Sequence, residues 1–282
     1  VASRGLGDVY KRQLDAAVGT GAVTSLPAKA AESRLRAFGF VDPDSAMRHI
    51  HDLSAGVSRA SRVHRQVLPA MLGWLSEGVD PDAGLLAYRR LSEKLSSSTW
   101  YLKLLRDSGQ GAEALARVLS LSQYAASHIM HYHGSVRWLA DQDMLQPTPL
   151  DSLRQEMSEL VGRGRGVEGV RAVYGREKLR IILADILEVI PRSAVPQALS
   201  DVMSTAIDAA LLSVRLDLDT EHRIYDYDFA IIAMGRLGGR EIGVFSDADV
   251  CFVYRPAHTM GDDDREACLL YTSPSPRDAT LS

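Results

Sequence analysis

The chain has 282 residues, a formal net charge of -4 and a pI near 6.1, with 46% hydrophobic and 24% charged residues. That composition leads us to expect one or two packed domains. It gives no basic footprint for nucleic acid, no apolar run long enough for a bilayer and no signal-peptide core. With only Cys251 and Cys268, no disulfide framework is expected, and a reducing cytoplasmic location is the default.

The first thirteen residues, containing SRGLGDVYKRQ, and residues 268–282, opening CLLYTSPSPRD, read as one DNA segment translated in opposite directions. Back-translation of the first stretch, reverse-complemented and shifted by one base, yields the second. Both resemble a transposon-type sequencing adapter read as coding sequence. They are therefore set aside from the fold, as a fusion scar would be, and are expected to carry no packed structure. The expected native stretch is Leu14–Ala267, an internal piece of a longer protein.

From about Pro27 to Leu216 the pattern is helical. DSAMRHIHDLSAGVSRASRVHRQVLPAMLGWL sets Met47, Ile50, Leu53, Val57, Val63, Val67, Leu68, Met71, Leu72 and Leu75 at three- and four-residue steps. Asp44 or Ser45 is expected to cap it, and Pro69 to kink or divide it. A helix restarts after Pro81 with Leu85, Leu86, Tyr88, Leu91 and Leu95 inward. TWYLKLLRDSG predicts a short helix ending at Gly109. The next run predicts two helices broken near Ser120–Ser122, and PLDSLRQEMSELV another helix. GRGRGVEG, from Gly162 to Gly169, reads as a solvated loop, with an RNA-binding Gly-Arg segment as the less favoured alternative. A long amphipathic helix then runs to Ile190. After a turn at Pro191 comes its antiparallel partner, to Leu218, and Leu183 is expected to be buried. Trp74, Trp100 and Trp138 are expected in helix–helix core.

The period then changes. Asp228–Gly235 and Ala248–Pro256 predict short buried strands. Between them lie Gly238 and Gly239, whose missing side chains permit close backbone approach to a triphosphate. Asp247 and Asp249, two residues apart on a strand, share a face. Adjacent carboxylates repel unless a cation joins them, and hard oxygen ligands near phosphate favour magnesium. For the D-x-D alone, the bland alternative is an Asp-Ser turn capping a core strand. The glycines and flanking strands favour the metal pair. Arg236 and Arg240 have two open readings, offsetting phosphate charge or pairing with Glu241 on the surface. His128, His131 and His133 carry too few converging ligands for zinc and are read as structural.

FAIIAMGRLGGREIGVFSDADVCFVY closely resembles the nucleotidyltransferase signature of the glutamine synthetase adenylyltransferase and adenylyl-removing enzyme family. LPAMLGWLSEGVDPDAGLLAYRRLSEKL, STWYLKLLRDSG and EKLRIILADIL are similar to that family too, so the resemblance covers nearly all of Ala31 to Pro256. Glu241-Ile242-Gly243, where the deadenylylating N-terminal copy usually has Glu-Leu-Asn, resembles the C-terminal, adenylylating half of an actinobacterial-type enzyme. A departure stands at Val244 and Phe245, where the family often has Tyr and a small residue. It bears on the nucleotide pocket's shape and not on the metal pair.

The resemblance implies a mainly α chain with a short α/β end. A bundle-like helical region over 14–220 precedes the truncated start of a nucleotidyltransferase domain of DNA polymerase β type over 221–267. It implies AMP transfer from ATP to a tyrosine of glutamine synthetase. Asp247 and Asp249 would be the catalytic pair holding Mg2+, and Gly238, Gly239 and Ser246 the triphosphate contacts. Glutamine synthetase is the implied partner, a PII-type signalling protein and glutamine the implied signals, with no nucleic acid and no membrane. The third carboxylate that such enzymes use is expected beyond this stretch. Asp262, Asp263 and Asp264 read as a solvated loop, so this stretch alone is expected to be inactive. The alternative reading is a helical interaction and signal-receiving scaffold.

Overall fold

A computed structural model describes residues 28–220 and 227–256. Both adapter-like ends, and Asp262–Asp264, lie outside the described residues.

Helices dominate. The element order is α1 (Ala28–Ala37), α2 (Pro43–Ser54), α3 (Arg59–Ser76), α4 (Pro81–Lys94), α5 (Thr99–Asp107), α6 (Gly109–Leu121) and α7 (Gln123–His131). Two 3-10 segments follow, His133–Ala140 and Gln142–Leu145. Then come α8 (Leu150–Gly162), α9 (Gly166–Ile186), a 3-10 turn at Arg192–Ala194 and α10 (Val195–Thr220). The chain continues into β1 (Tyr227–Ala233), the single turn α11 (Gly235–Gly238) and β2 (Val250–Pro256). The described residues fall into two compact units along the chain, one running to Thr148 and taking in Gly175–Val195, the other made of Pro149–Tyr174 and the described residues from Pro196 onward.

In the first unit α6 is central. Ala112, Leu115, Ala116, Val118 and Leu119 are all buried, and α3, α4, α5, α7 and the first 3-10 segment pack against it. On α4, Leu85, Tyr88 and Leu91 are fully buried, and Leu95, just past its end, nearly so. Their spacing places them on the one inward stripe the sequence predicts; Leu86, on its flank, is half-buried. The break after α6 falls at Ser122, whose hydroxyl accepts from the Ala125 N–H at 3.1 Å and caps α7.

Pro69 lies inside a continuous α3. The break comes earlier, at Ala55–Ser58, where Gly56 takes φ +80° and Ser58 caps α3 by accepting from Ser61 N–H at 3.0 Å. Arg65 secures the corner, donating to the carbonyls of Ser54 at 2.6 Å and Gly56 at 2.9 Å. The helix carries its proline because Val63, Val67, Leu68, Met71, Leu72 and Leu75 bury one whole face around it. Val57, in the corner, is 92% exposed. The cap of α2 is Asp42, not Asp44 or Ser45.

The tryptophans are half-buried and not core. Arg137 lies 4.5 Å from the Trp100 ring and Arg180 4.1 Å from the Trp138 ring, so the indoles supply cation–π platforms. Arg180 and Arg176 also donate to Glu177, at 3.0 and 2.8 Å, and the Thr148 hydroxyl donates to it at 2.7 Å. This satisfies a carboxylate only 1% exposed, as a buried charge requires.

Helix α9 is not a simple amphipathic stripe. Val170, Val173 and Glu177 share one face, but Leu179 and Ile181–Ala184 are buried on all sides. Leu183 is fully buried, as expected. A Cβ on Gly166 would meet the Ser213 hydroxyl at 3.5 Å. The start of α9 thus lies beside the second half of α10.

His64 gives the helical unit a pH signature. Its Nδ1 shares a 2.9 Å hydrogen bond with the Tyr88 hydroxyl, with the rings edge to face. Burial lowers the imidazole from 6.5 to about 4. As pH falls from about 6.5 to about 4, the unfolded chain therefore takes up a proton that the folded one refuses. Stability is expected to fall by roughly 3 kcal/mol across that window. Urea midpoints at pH 7 and pH 4.5 check this. His64→Gln should remove that component, and an unchanged pH slope in the variant would refute the assignment.

Candidate functional site

The site region is a strand, one helical turn, a loop and a second strand. β1 and β2 pair antiparallel, Ala233 opposite Val250. The ladder continues one step, the Met234 N–H donating to the Asp249 carbonyl at 2.8 Å. Asp247 and Asp249 therefore precede β2 and do not lie within it. Their backbone is led into the sheet by the bond at Met234.

The strands were expected to be buried. Instead Ile232 is 47%, Phe252 61% and Val253 45% exposed. A two-stranded sheet has two faces, and the described residues do not close over them. Phe229 and Phe252 stack across the pair at 5.9 Å. Cys251 is exposed and free.

The turn after β1 depends on glycine. Gly235 has φ +50°, and a Cβ there would lie 2.8 Å from Asp249 Oδ2. Both the left-handed backbone and the seat of the Asp249 carboxylate require its bare Cα. This residue was missed from the sequence, although a glycine directly after an apolar run is a known break signal. A Cβ on Gly238 would meet the Ala233 carbonyl oxygen at 2.5 Å, so its glycine lets the turn fold back on the strand end. The glycine pair does not precede a helix. Gly238 ends α11 and Gly239 follows it. The Gly238 and Gly239 N–H groups donate within the turn, to Met234 at 2.9 Å and Gly235 at 3.0 Å. What these residues offer a ligand is close approach to an exposed, side-chain-free surface, not free donors.

Ser246 closes the next turn. Its N–H donates to the Gly243 carbonyl at 3.1 Å, and its hydroxyl accepts from the Gly243 N–H at 2.9 Å. The Arg236 guanidinium donates to the same hydroxyl at 3.4 Å. Arg240 pairs with Asp201 on α10 and not with Glu241. It also takes φ +57°, a conformation that costs a non-glycine residue roughly 1–2 kcal/mol. Leu237 and Ile242, 3% and 2% exposed, pin the loop from beneath.

Both carboxylates are exposed, and no ion pair or side-chain hydrogen bond among the described residues engages either. Their donor set fits a hard divalent cation. Magnesium commonly takes one or two carboxylates and completes its shell with water and substrate phosphate. Among the described residues no group of three metal-ligating side chains forms. His128 and His131 are engaged within their own helix. His128 stacks on Tyr124 at 3.9 Å and bonds its carbonyl through Nδ1, and His131 bonds the Ser127 carbonyl.

The sequence matches a family profile described as glutamate-ammonia ligase adenylyltransferase over residues 112–273. It is similar to the bifunctional glutamine synthetase adenylyltransferase/adenylyl-removing enzymes of three bacteria. Identity is 42% with that of Leifsonia xyli, covering 82% of this chain and 23% of the relative. It is 42% with that of Cutibacterium acnes, covering 84% and 24%, and 40% with that of Streptomyces avermitilis, covering 86% and 26%. The chain thus spans about a quarter of the length of the curated relatives it matches. Among the described residues, no helix is long and apolar enough to cross a membrane.

Proposed function

This chain belongs to the glutamate-ammonia ligase adenylyltransferase family, and on that premise we propose that it carries the entry to an active site that moves AMP from ATP to a tyrosine of glutamine synthetase. The observation that carries this reading is the placement of Asp247 and Asp249. They are exposed, unclaimed by other groups among the described residues, and led into β2 beside a glycine-bounded turn.

In this reading Asp247 and Asp249 hold magnesium, which when bound neutralises phosphate charge and assists in-line displacement. Gly238 and Gly239 leave room for the phosphate chain, and Ser246 lies at its edge. Arg236, held at the Ser246 hydroxyl, supplies a positive charge on the same side. The tyrosine oxygen forms a bond to the α-phosphorus, and the bond from that phosphorus to the bridging oxygen breaks. Pyrophosphate leaves with the electron pair, and the hydroxyl proton passes to solvent. Glutamine synthetase is the partner, with a PII-type protein as a regulatory one, in the cytoplasm. The segment belongs to the adenylylating half of the parent enzyme.

Calorimetric titration of ATP with magnesium into the folded chain is the test. Heat of binding is expected, abolished by a chelator and in the Asp247→Asn, Asp249→Asn double variant. A folded chain that ignores nucleotide would favour a helical interaction scaffold instead.

A further inference from the structure

The loop from Gly239 to Ser246 touches α10 at two consecutive residues. Arg240 reaches Asp201 with its guanidinium, across 39 positions of sequence. The Ile242 N–H points to the Ser200 hydroxyl at 3.5 Å. Both α10 groups are themselves held. Gln197, one turn earlier, donates to the Asp201 carboxylate at 3.2 and 3.3 Å. Ser200, 2% exposed, donates its hydroxyl to the Pro196 carbonyl at 2.8 Å. The loop residues are committed in turn. Ile242 is buried at 2% exposure, and Arg240 adopts a left-handed backbone that a side-chain-bearing residue keeps only where its surroundings hold it.

We propose that Arg240 and Asp201 form a positioning pair, through which α10 sets the placement of the turn presenting Asp247 and Asp249. The proposal rests on reading those carboxylates as the metal pair. Four residues separate Ile242 from Asp247, and the Gly243–Ser246 turn between them is closed by two hydrogen bonds. A shift of the loop against α10 is therefore carried along a short, closed turn to the carboxylates. The same geometry divides the two arginines that flank the glycines. Arg236 stays near the open side at Ser246, while Arg240 is spent on α10 and is not available to phosphate.

The pair is partly exposed, with side chains 54% and 28% accessible, so its effect is modest and measurable, within the range of surface ion pairs. Hydrogen exchange of the 241–246 amides and calorimetric affinity for magnesium-ATP are measured on the whole chain. Arg240→Asn, whose side chain tolerates the left-handed backbone, and the near-isosteric Asp201→Asn are each expected to speed loop exchange about two- to fivefold. Nucleotide affinity should weaken by a similar factor, with α6 exchange and the urea midpoint unchanged. The exchanged pair, Arg240→Asp with Asp201→Arg, should restore both readouts, since Asp also tolerates the backbone. Single variants that leave loop exchange unchanged would overturn the proposal. So would a charge swap as loose as either single variant, or exchange that rises equally in α6. A chain whose loop responds as expected but binds no magnesium-ATP would retain the pair and strike out the metal reading instead.

Discussion

Asp247→Asn and Asp249→Asn are each expected to lower AMP incorporation into glutamine synthetase at least about a thousandfold, in an active enzyme carrying this segment, with unchanged circular dichroism. A metal held at the reacting phosphate supplies several kcal/mol of charge stabilisation, which is a factor of that order. Each substitution keeps the shape and deletes one ligand charge. Neither carboxylate is held by another group among the described residues, and both are exposed, so folding does not depend on them. Asp151→Asn, at a side chain 99% exposed on α8, is the control and should change nothing. Gly235→Ala tests the same site from the opposite side. It keeps both carboxylates but sets a Cβ 2.8 Å from Asp249 Oδ2 on a backbone with φ +50°, so it should weaken magnesium-dependent transfer through displacement of Asp249. Full transfer by a folded Asp247→Asn, Asp249→Asn double variant would reduce the pair to a strand cap.

The second large effect is on stability. Leu183→Ala should cost about 2–5 kcal/mol, the range for truncating a fully buried leucine. Leu183 is 0% exposed, within the stretch of α9 buried on all sides, so the space left behind has packed walls that relax only in part. The comparison is Val214→Ala on α10, where the side chain is 49% exposed and a change within about 0.5 kcal/mol is expected. Urea unfolding monitored by circular dichroism measures both. A loss below about 0.5 kcal/mol for Leu183→Ala would contradict its burial.

Much of the helical architecture was legible in the sequence. The inward set Leu85, Tyr88, Leu91 and Leu95, the break at Ser122, and the burial of Leu183 all follow from local periodicity and capping chemistry. Those signals act within one or two turns of chain. The spacing of Asp247 and Asp249 is local too, but both residues precede β2 and do not lie on the strand the sequence predicts for them.

What the tertiary structure decided was partnership and exposure. Pro69 stays in its helix because a whole apolar face is buried around it, and no local rule for proline contains that face. Trp100 and Trp138 are half-buried and not core, with arginines distant in sequence lying over their rings. The strands read as buried because their residues are apolar, yet burial requires neighbours, and the described residues leave Ile232 and Phe252 open. Asp249 needs Gly235 beside it through the β1–β2 register, and Arg240 finds Asp201 on another helix. Sequence spacing determines which side chains share a face. Which side chains meet across the fold depends on where the chain returns in space, and only the packed structure states that.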